Sequence, residues 1–127
     1  MSDVADAGDL LTTARDALFS SLLPALAGED RYTALMVASA MAIAARESVL
    51  GNATNQREVE RLRSLTADIV PPDDPDANDV GALRRRVTAA IRDGRFDDDA
   101  HAKALLCALL GICADRVAIS NPNALRE

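Results

Sequence analysis

His101 is the only histidine in the chain, and it follows Asp98 and Asp97 by three and four residues. Residues at these spacings share one face of a helix, so either carboxylate could hold the imidazole as a general base. The same pattern also describes a surface histidine in the acidic first turn of a helix. We favour the surface histidine, because no nucleophile or second titratable partner accompanies His101 in the sequence.

Four other charged residues interrupt apolar segments, namely Arg46, Glu47, Asp115 and Arg116. They could line a polar pocket or contact a partner. They could equally form ion pairs, or extend their charged ends from a helix end into water, and we favour these structural roles. Together with His101 they form the candidate polar cluster of this sequence.

The compact motifs that hold phosphates, nucleophiles or catalytic metals do not occur in this sequence. It has no glycine-rich phosphate loop, no G-x-S-x-G turn and no H-E-x-x-H pair. The acidic run at 97–99 suits the start of a helix better than a cation site. The arginine run at 84–86 suits a solvated helix face, tethered to the acidic loop at 73–76. We therefore predict no catalytic residue, no cofactor and no metal.

The two cysteines, Cys107 and Cys113, are six residues apart. On one helix this spacing separates their Cα atoms by about 9 Å, whereas a disulfide needs less than about 7 Å. The spacing does not match a zinc site either. We expect reduced thiols in the core of a cytoplasmic protein.

Composition excludes several classes of partner. The chain has 127 residues, 49% of them hydrophobic and 2% aromatic, and a formal net charge of −6. An acidic chain with few aromatic side chains is a poor match for nucleic acid. The N-terminus has neither the basic nor the apolar region of a signal peptide. The longest uncharged stretches, 32–45 and 104–114, are shorter than the ~18 apolar residues of a membrane span, so we expect no membrane association.

Apolar residues recur every three or four positions along most of the chain, which predicts helices. We expect an all-α, single-domain bundle of about five helices at 9–122, between tails at 1–8 and 123–127. The second and fifth helices are the most apolar and are expected at the centre. The predicted helices are residues 10–26, 30–50, 55–69, 80–92 and 97–120, with a proline-rich loop at 70–78.

Local signals set the expected boundaries of these helices. Capping residues are predicted to begin them, glycines to end them and one proline to kink or end the first. Glu58 is expected to complete a capping box and to pair with Arg61 on the same helix. Gly111, in the middle of a helix, indicates a close neighbouring backbone. The boundary residues are Asp9, Asp30, Asn55 and Asn78 or Asp79 as caps, Gly28, Gly51 and Gly94 as ends, and Pro24 as the proline.

Short connections make successive helices antiparallel, so the second and fifth should be antiparallel too. Aligning their midpoints brings Arg46 and Glu47 near His101 and Lys103. The same alignment brings Asp115 and Arg116 near Arg31 and Tyr32.

Four short motifs lie at 22–26 (LLPAL), 41–51 (beginning MAIAARE), 91–97 (IRDGRFD) and 117–122 (VAISNP). They resemble the motifs of a family of small bacterial helical domains of unknown function, over residues 9 to 124. The resemblance implies no catalytic residue. It implies association with an enzyme, since members are often encoded beside, or fused to, aminoglycoside-phosphotransferase-like kinases and acyl-CoA dehydrogenases.

Functions from different classes remain open at this point. One is a non-catalytic accessory domain that binds a second copy of itself, or a kinase-like or acyl-CoA dehydrogenase-like enzyme. Two very apolar helices in a small domain favour it, because they leave apolar surface for an interface. Another is a small enzyme or ligand-binding protein with an inter-helix pocket, in which Glu47, His101 and Arg116 would be the polar groups. A third is a regulator that presents its acidic surface to a basic site.

Overall fold

The computed structural model describes residues 6–69, 71 and 73–126, and every regular element within these residues is helical. The prediction of an all-α fold is therefore confirmed. The four α-helices are α1 Ala7–Ala17, α2 Gly28–Leu65, α3 Val80–Arg92 and α4 Asp99–Ser120, and a short 3-10 turn follows at Pro122–Arg126.

The first predicted helix changes form along its length. After α1, the chain passes through a π-helical turn at Leu18–Leu22 and a 3-10 turn at Leu23–Ala25. The regular helix ends at Ala17, before the expected position, and Pro24 lies in the later 3-10 turn, beyond which the helical segment does not continue. The N-cap is Asp6 rather than Asp9, because the Asp6 carboxylate accepts a hydrogen bond of 2.8 Å from the backbone N–H of Asp9.

The second and third predicted helices are one continuous helix, so the expected break at Gly51 is wrong. α2 has 38 residues and passes through both Gly51 and Asn55. A glycine that ends a helix adopts a positive φ, and among the described residues only Gly28 and Gly94 do so. Thr54 is 2% exposed, and packing of this turn outweighs the weak local end signals.

α3 follows its prediction closely. Asp79 is the N-cap and accepts backbone hydrogen bonds of 2.9 and 3.2 Å from the first turn. Gly94, with φ of 78°, follows the helix end. The predicted tether to the acidic loop also forms, because Arg86 Nη2 donates to Asp74 Oδ2 at 2.7 Å and lies 3.9 Å from Asp76 Oδ2. Residues 70 and 72 of that predicted loop lie outside the described residues.

The described chain forms two compact units. The first contains the described part of Met1–Asn52 together with Ile119–Arg126, and the second contains Ala53–Ala118. The second unit holds the main hydrophobic core, to which α2, α3 and the turn after α3 contribute. The buried residues of this core are Val59, Leu62, Leu83, Val87, Ala90 and Phe96. In the first unit the buried hydrophobic residues are Leu23, Ala34, Ala38 and Ile119.

The prediction that the second and fifth helices form the dry centre is wrong. Val37 on α2 is 43% exposed and Leu109 on α4 is 39% exposed. A helix without charged residues has apolar side chains on every side, but only the side that packs against a neighbouring element is buried. The core instead forms around α3, where Leu83 is 0% exposed, since an apolar stripe opposite an arginine-rich face directs that helix inward.

Both cysteines lie at the surface, although the sequence predicts them in the core. Cys107 and Cys113 are free thiols, as predicted from their spacing, but both are exposed. They are therefore not part of the core.

Among the described residues, one helix, α2, is long and apolar enough to cross a membrane by length and composition alone. The core helices of soluble proteins and N-terminal signal sequences satisfy the same criterion. This finding does not test membrane association, and its predicted absence stays a prediction.

Replacing Gly51 with alanine tests the continuity of α2. Inside a helix, alanine is favoured over glycine by about 1 kcal/mol. The added Cβ would meet only the movable end of Glu47, whose Oε1 lies 2.7 Å from the ideal Cβ position. We expect Gly51→Ala to raise the free energy of unfolding by up to about 1 kcal/mol in urea denaturation. Gly94→Ala is the control and should lower it, because φ at Gly94 is 78°. A loss of stability in Gly51→Ala would indicate a helix end at that position.

Candidate functional site

Glu58 is a buried carboxylate held by two arginines. Its side chain on α2 is 4% exposed. Arg84 of α3 donates from Nε to Oε1 at 2.7 Å and from Nη2 to Oε2 at 2.8 Å, which is a bidentate pair. Arg116 of α4 donates from Nη2 to Oε2 at 2.6 Å. One carboxylate thus joins three helices within the second unit.

The two arginines determine the protonation of Glu58. The hydrogen bond from Arg84 lowers the pKa of Glu58, burial opposes this, and the hydrogen bond from Arg116 adds to the lowering. The net pKa lies below its ordinary value, so Glu58 is an anion at neutral pH. In turn, the hydrogen bond to Glu58 raises the pKa of Arg84.

Asp115 is the second carboxylate of the same region. It accepts hydrogen bonds from Arg61 Nη1 at 2.6 Å and from Arg57 Nε at 3.0 Å, both on α2. Burial acts to raise the pKa of Asp115, but the hydrogen bonds from Arg61 and Arg57 outweigh it and the pKa is lowered. Arg57 Nη2 also donates to the hydroxyl of Thr54 at 3.4 Å.

These six charged residues form what we call the arginine network: Arg57, Glu58, Arg61, Arg84, Asp115 and Arg116. Each carboxylate in it accepts from two guanidinium groups, so neither is available as a base or a metal ligand. Among the described residues, no group of three or more His, Cys, Asp or Glu is arranged to hold a metal. The network is suited to holding helices together rather than to chemistry.

Gly111 allows Arg61 to reach Asp115. A Cβ built on Gly111 would lie 2.8 Å from Arg61 Cζ and 2.9 Å from Nε. The predicted close approach at this glycine is therefore real, but the neighbour is a guanidinium group and not a backbone.

His101 stands on the surface, and within the described part of the chain its carboxylate partner is Asp98. Its Nδ1 lies 2.5 Å from Asp98 Oδ1, and both side chains are 58% exposed. The hydrogen bond to His101 lowers the pKa of Asp98. The ring of Phe96 meets the imidazole edge-on at 6.5 Å between centroids. The arrangement matches the surface histidine that the sequence favours, with Asp98 rather than Asp97 as its partner.

Arg46 and Glu47 lie in the first unit and have different roles. Arg46 is half-buried and donates from Nε to the backbone carbonyl of Ile119 at 2.6 Å. That carbonyl lies in the last turn of α4, where a cation is favoured by the helix dipole. Glu47 is exposed and lies along its own helix beside Gly51.

The midpoint alignment predicts the wrong partners for these residues. In the structure Arg46 meets Ile119, and Asp115 meets Arg57 and Arg61. The alignment used the midpoint of a helix predicted at 30–50. Because α2 also includes the third predicted helix, its midpoint lies later in the sequence, and the residue pairs derived from the earlier midpoint are displaced. Within the second unit the antiparallel direction itself is retained, since Arg57 pairs with Asp115 and the later Arg61 lies over the earlier Gly111.

Of the five predicted polar residues, Asp115 and Arg116 are in the arginine network, and the other three are not. The prediction missed Arg57 and Arg84, and gave Glu58 and Arg61 the wrong partners. A signal was present, because the most buried positions recur every four residues from this part of α2 into the turn that follows it. These positions are Thr54, Glu58, Leu62 and Thr66. A charge in such a stripe requires a partner from another helix.

Replacing Glu58 with glutamine tests the electrostatic role of the network. Because the pKa of Glu58 is lower in the folded state, its contribution is complete above the ordinary value of 4.5 and is lost as pH falls through the folded value. We expect Glu58→Gln to cost about 1–3 kcal/mol at neutral pH. We also expect it to lose less stability than wild type below about pH 4.5, measured by urea denaturation across pH.

Glu60→Gln is the matched control for that experiment. Glu60 is exposed on the same helix, and we expect the wild-type pH dependence in this variant. Equal acid sensitivity of wild type and Glu58→Gln would contradict the assigned role.

Replacing Gly111 with alanine tests the position of Arg61. The helix gains about 1 kcal/mol from alanine, but the guanidinium must leave Asp115. We expect Gly111→Ala to gain less stability than Gly51→Ala in the same assay. In an Arg61→Ala background the full gain should return, which a double-mutant cycle measures. Additive effects of the two substitutions would show that Gly111 and Arg61 do not interact.

Comparison with curated proteins and with solved structures gave no match. A family model described as a domain of unknown function (DUF6285) matches residues 24–124. The matched region includes all of α2, α3 and α4, and with them the whole arginine network. The chain therefore belongs to the DUF6285 family, a domain of unknown function.

Proposed function

We propose that this protein is a non-catalytic interaction domain whose partner binds one exposed face of α2. This α2 face consists of Tyr32, Leu35, Met36, Ser39, Ala40 and Ile43, which line one open groove of about 530 Å³ in the first unit. Tyr32 is 66% exposed and Met36 is 57% exposed. This exposure of large apolar side chains on one helix face is the observation that carries the proposal.

The physical argument rests on the cost of that exposure. Isolated apolar residues on a surface are ordinary, but a contiguous apolar stripe marks an interaction site. Burying such a stripe against a partner removes apolar area from water, which favours association by roughly 25 cal/mol per Å² before the costs of binding.

The charged groups support a non-catalytic role. Glu58 and Asp115 are saturated by arginines. His101 is exposed with one carboxylate beside it. This arrangement favours a structural use of the charges over acid–base catalysis.

The partner we propose is a protein in the cytoplasm. It is a second copy of the chain, or an enzyme of the kinase-like or acyl-CoA dehydrogenase-like kind that the family resemblance implies. Neither nucleic acid nor a membrane suits the net charge of −6.

The second candidate function is binding of a small molecule. A groove of about 360 Å³ in the second unit is of the size that small ligands occupy. Its lining residues are Glu60, Arg63, Ser64, Thr66, Ala67, Pro71 and Ala77. Glu47, His101 and Arg116, the polar groups proposed for a pocket, are not among them, and this favours the interaction domain.

A charge placed on the α2 face tests the proposed function. We expect Met36→Glu to abolish retention of a co-expressed partner enzyme and any self-association, because the carboxylate would be desolvated in the interface. Affinity purification and sedimentation measure the two effects. Leu10→Glu is the matched control, since Leu10 is 60% exposed but lies on α1, and it should behave as wild type. Full retention by Met36→Glu, or a wild type that neither self-associates nor retains an enzyme, would refute the proposal.

A further inference from the structure

We propose that the α2 face binds a second copy of this chain, with the two α2 helices antiparallel about a twofold axis beside Ser39 and Ala40. This inference rests on the proposed function and names the occupant of the same surface. The reasons are the neutrality of the face, its pattern of large and small residues, and its polar ends.

The face is uncharged along its length, and its nearest arginines are engaged elsewhere in the first unit. Arg31 Nη1 donates to the Leu23 carbonyl at 3.0 Å, and Arg46 Nε donates to the Ile119 carbonyl at 2.6 Å. No charge occurs between these two arginines in the sequence. Two copies of this face can therefore meet without placing like charges opposite each other.

The residue sizes along the face are self-complementary. Ser39 and Ala40 are small and lie at its middle, so two helices can approach closely there. A twofold axis at this point places Met36 of each copy opposite Ile43 of the other. Large residues then lie on both sides of a centre where the two helices are close together. Side chains of the two copies can therefore interdigitate across the twofold axis, as an isologous interface requires.

The same axis pairs the polar ends of the face. It places Tyr32 of each copy opposite Glu47 of the other, and both side chains are exposed in a single copy. A phenolic hydroxyl donates a charge-assisted hydrogen bond to a carboxylate. The interface would thus have two identical hydrogen bonds at its ends and an apolar middle.

The acidic flanks disfavour a lipid surface as the occupant. Glu29, Asp30 and Glu47 flank the apolar stripe, whereas interfacial helices attach to membranes through lysine and arginine. From Tyr32 to Glu47 the face is about 22 Å long, and with a width of about 10 Å it covers on the order of 200 Å² per copy, well below the ~800 Å² per partner of standard interfaces. The dimer should therefore be weak and concentration-dependent.

Disulfide trapping is the direct test. The exposed Cys107 and Cys113 are first replaced by serine. In that background Ser39→Cys should form an intermolecular disulfide under mild oxidation, because residues beside the axis approach within about 7 Å. Leu50→Cys is the control on the same side of the helix. Its two copies would be about 30 Å apart in an antiparallel pair, so no cross-link should form.

Solution measurements complete the test on the full chain without added cysteines. Sedimentation should show a monomer–dimer equilibrium, with Met36→Glu raising Kd at least tenfold and Tyr32→Phe raising it a few-fold. Equal trapping of Leu50→Cys and Ser39→Cys, or a chain that stays monomeric at high concentration, would overturn the dimer. Binding of the chain to phosphatidylglycerol vesicles in place of self-association would overturn it also.

These outcomes separate the two proposals. A monomeric wild type that loses a co-expressed enzyme in Met36→Glu would refute the dimer and retain the interaction domain. A monomeric wild type whose enzyme binding is unchanged in Met36→Glu would refute both.

Discussion

The burial of Glu58 is the constraint on which the second unit depends. Burying a carboxylate costs free energy unless charged donors form hydrogen bonds with both of its oxygens. Here one donor group comes from α3 and the other from α4, so the charge is satisfied only when both helices are in place. Apolar contacts among Val59, Leu83 and Phe96 tolerate small shifts between helices, but a bidentate guanidinium pair fixes their separation and register.

The network extends this constraint along α4. Arg116 and Asp115 are adjacent in sequence and bind neighbouring turns of α2, so the register of these helix segments is specified twice. Gly111 then provides the space through which Arg61 crosses to Asp115. Replacing such a network by apolar residues is often neutral for stability. Because each carboxylate needs arginines from a neighbouring helix, the network favours the register of the three helices in which both are satisfied.

The sequence predicted the features that depend on neighbouring residues. Asp79 as a cap, the bounds of α3 and the turn at Gly94 all follow from local spacing, and the tether of Arg86 to the acidic loop follows from the opposite charges of two segments close in sequence. Features that depend on distant residues were predicted wrongly. Gly51 carries the signal of a helix end, yet the burial of Thr54 in the next turn keeps α2 continuous. Val37 and Leu109 lie in uncharged segments and are exposed, because the absence of charge does not specify which neighbour covers a side chain. The partners of Glu58 could not be inferred, since they depend on the helix register.

The functional argument rests on how α2 and α3 place their apolar residues. In the second unit Leu83 and Val87 of α3 are buried, although Ile91 at the end of that helix is exposed. In the first unit the buried positions of α2 are alanines at 34 and 38, while larger side chains at 32 and 36 are exposed. Small buried residues let α2 lie close to its own unit, and the bulky residues then face outward where they can contact another molecule. The family model begins at residue 24, so it excludes α1 and includes this outward face. The α2 face thus lies within the part of the chain that the family model describes.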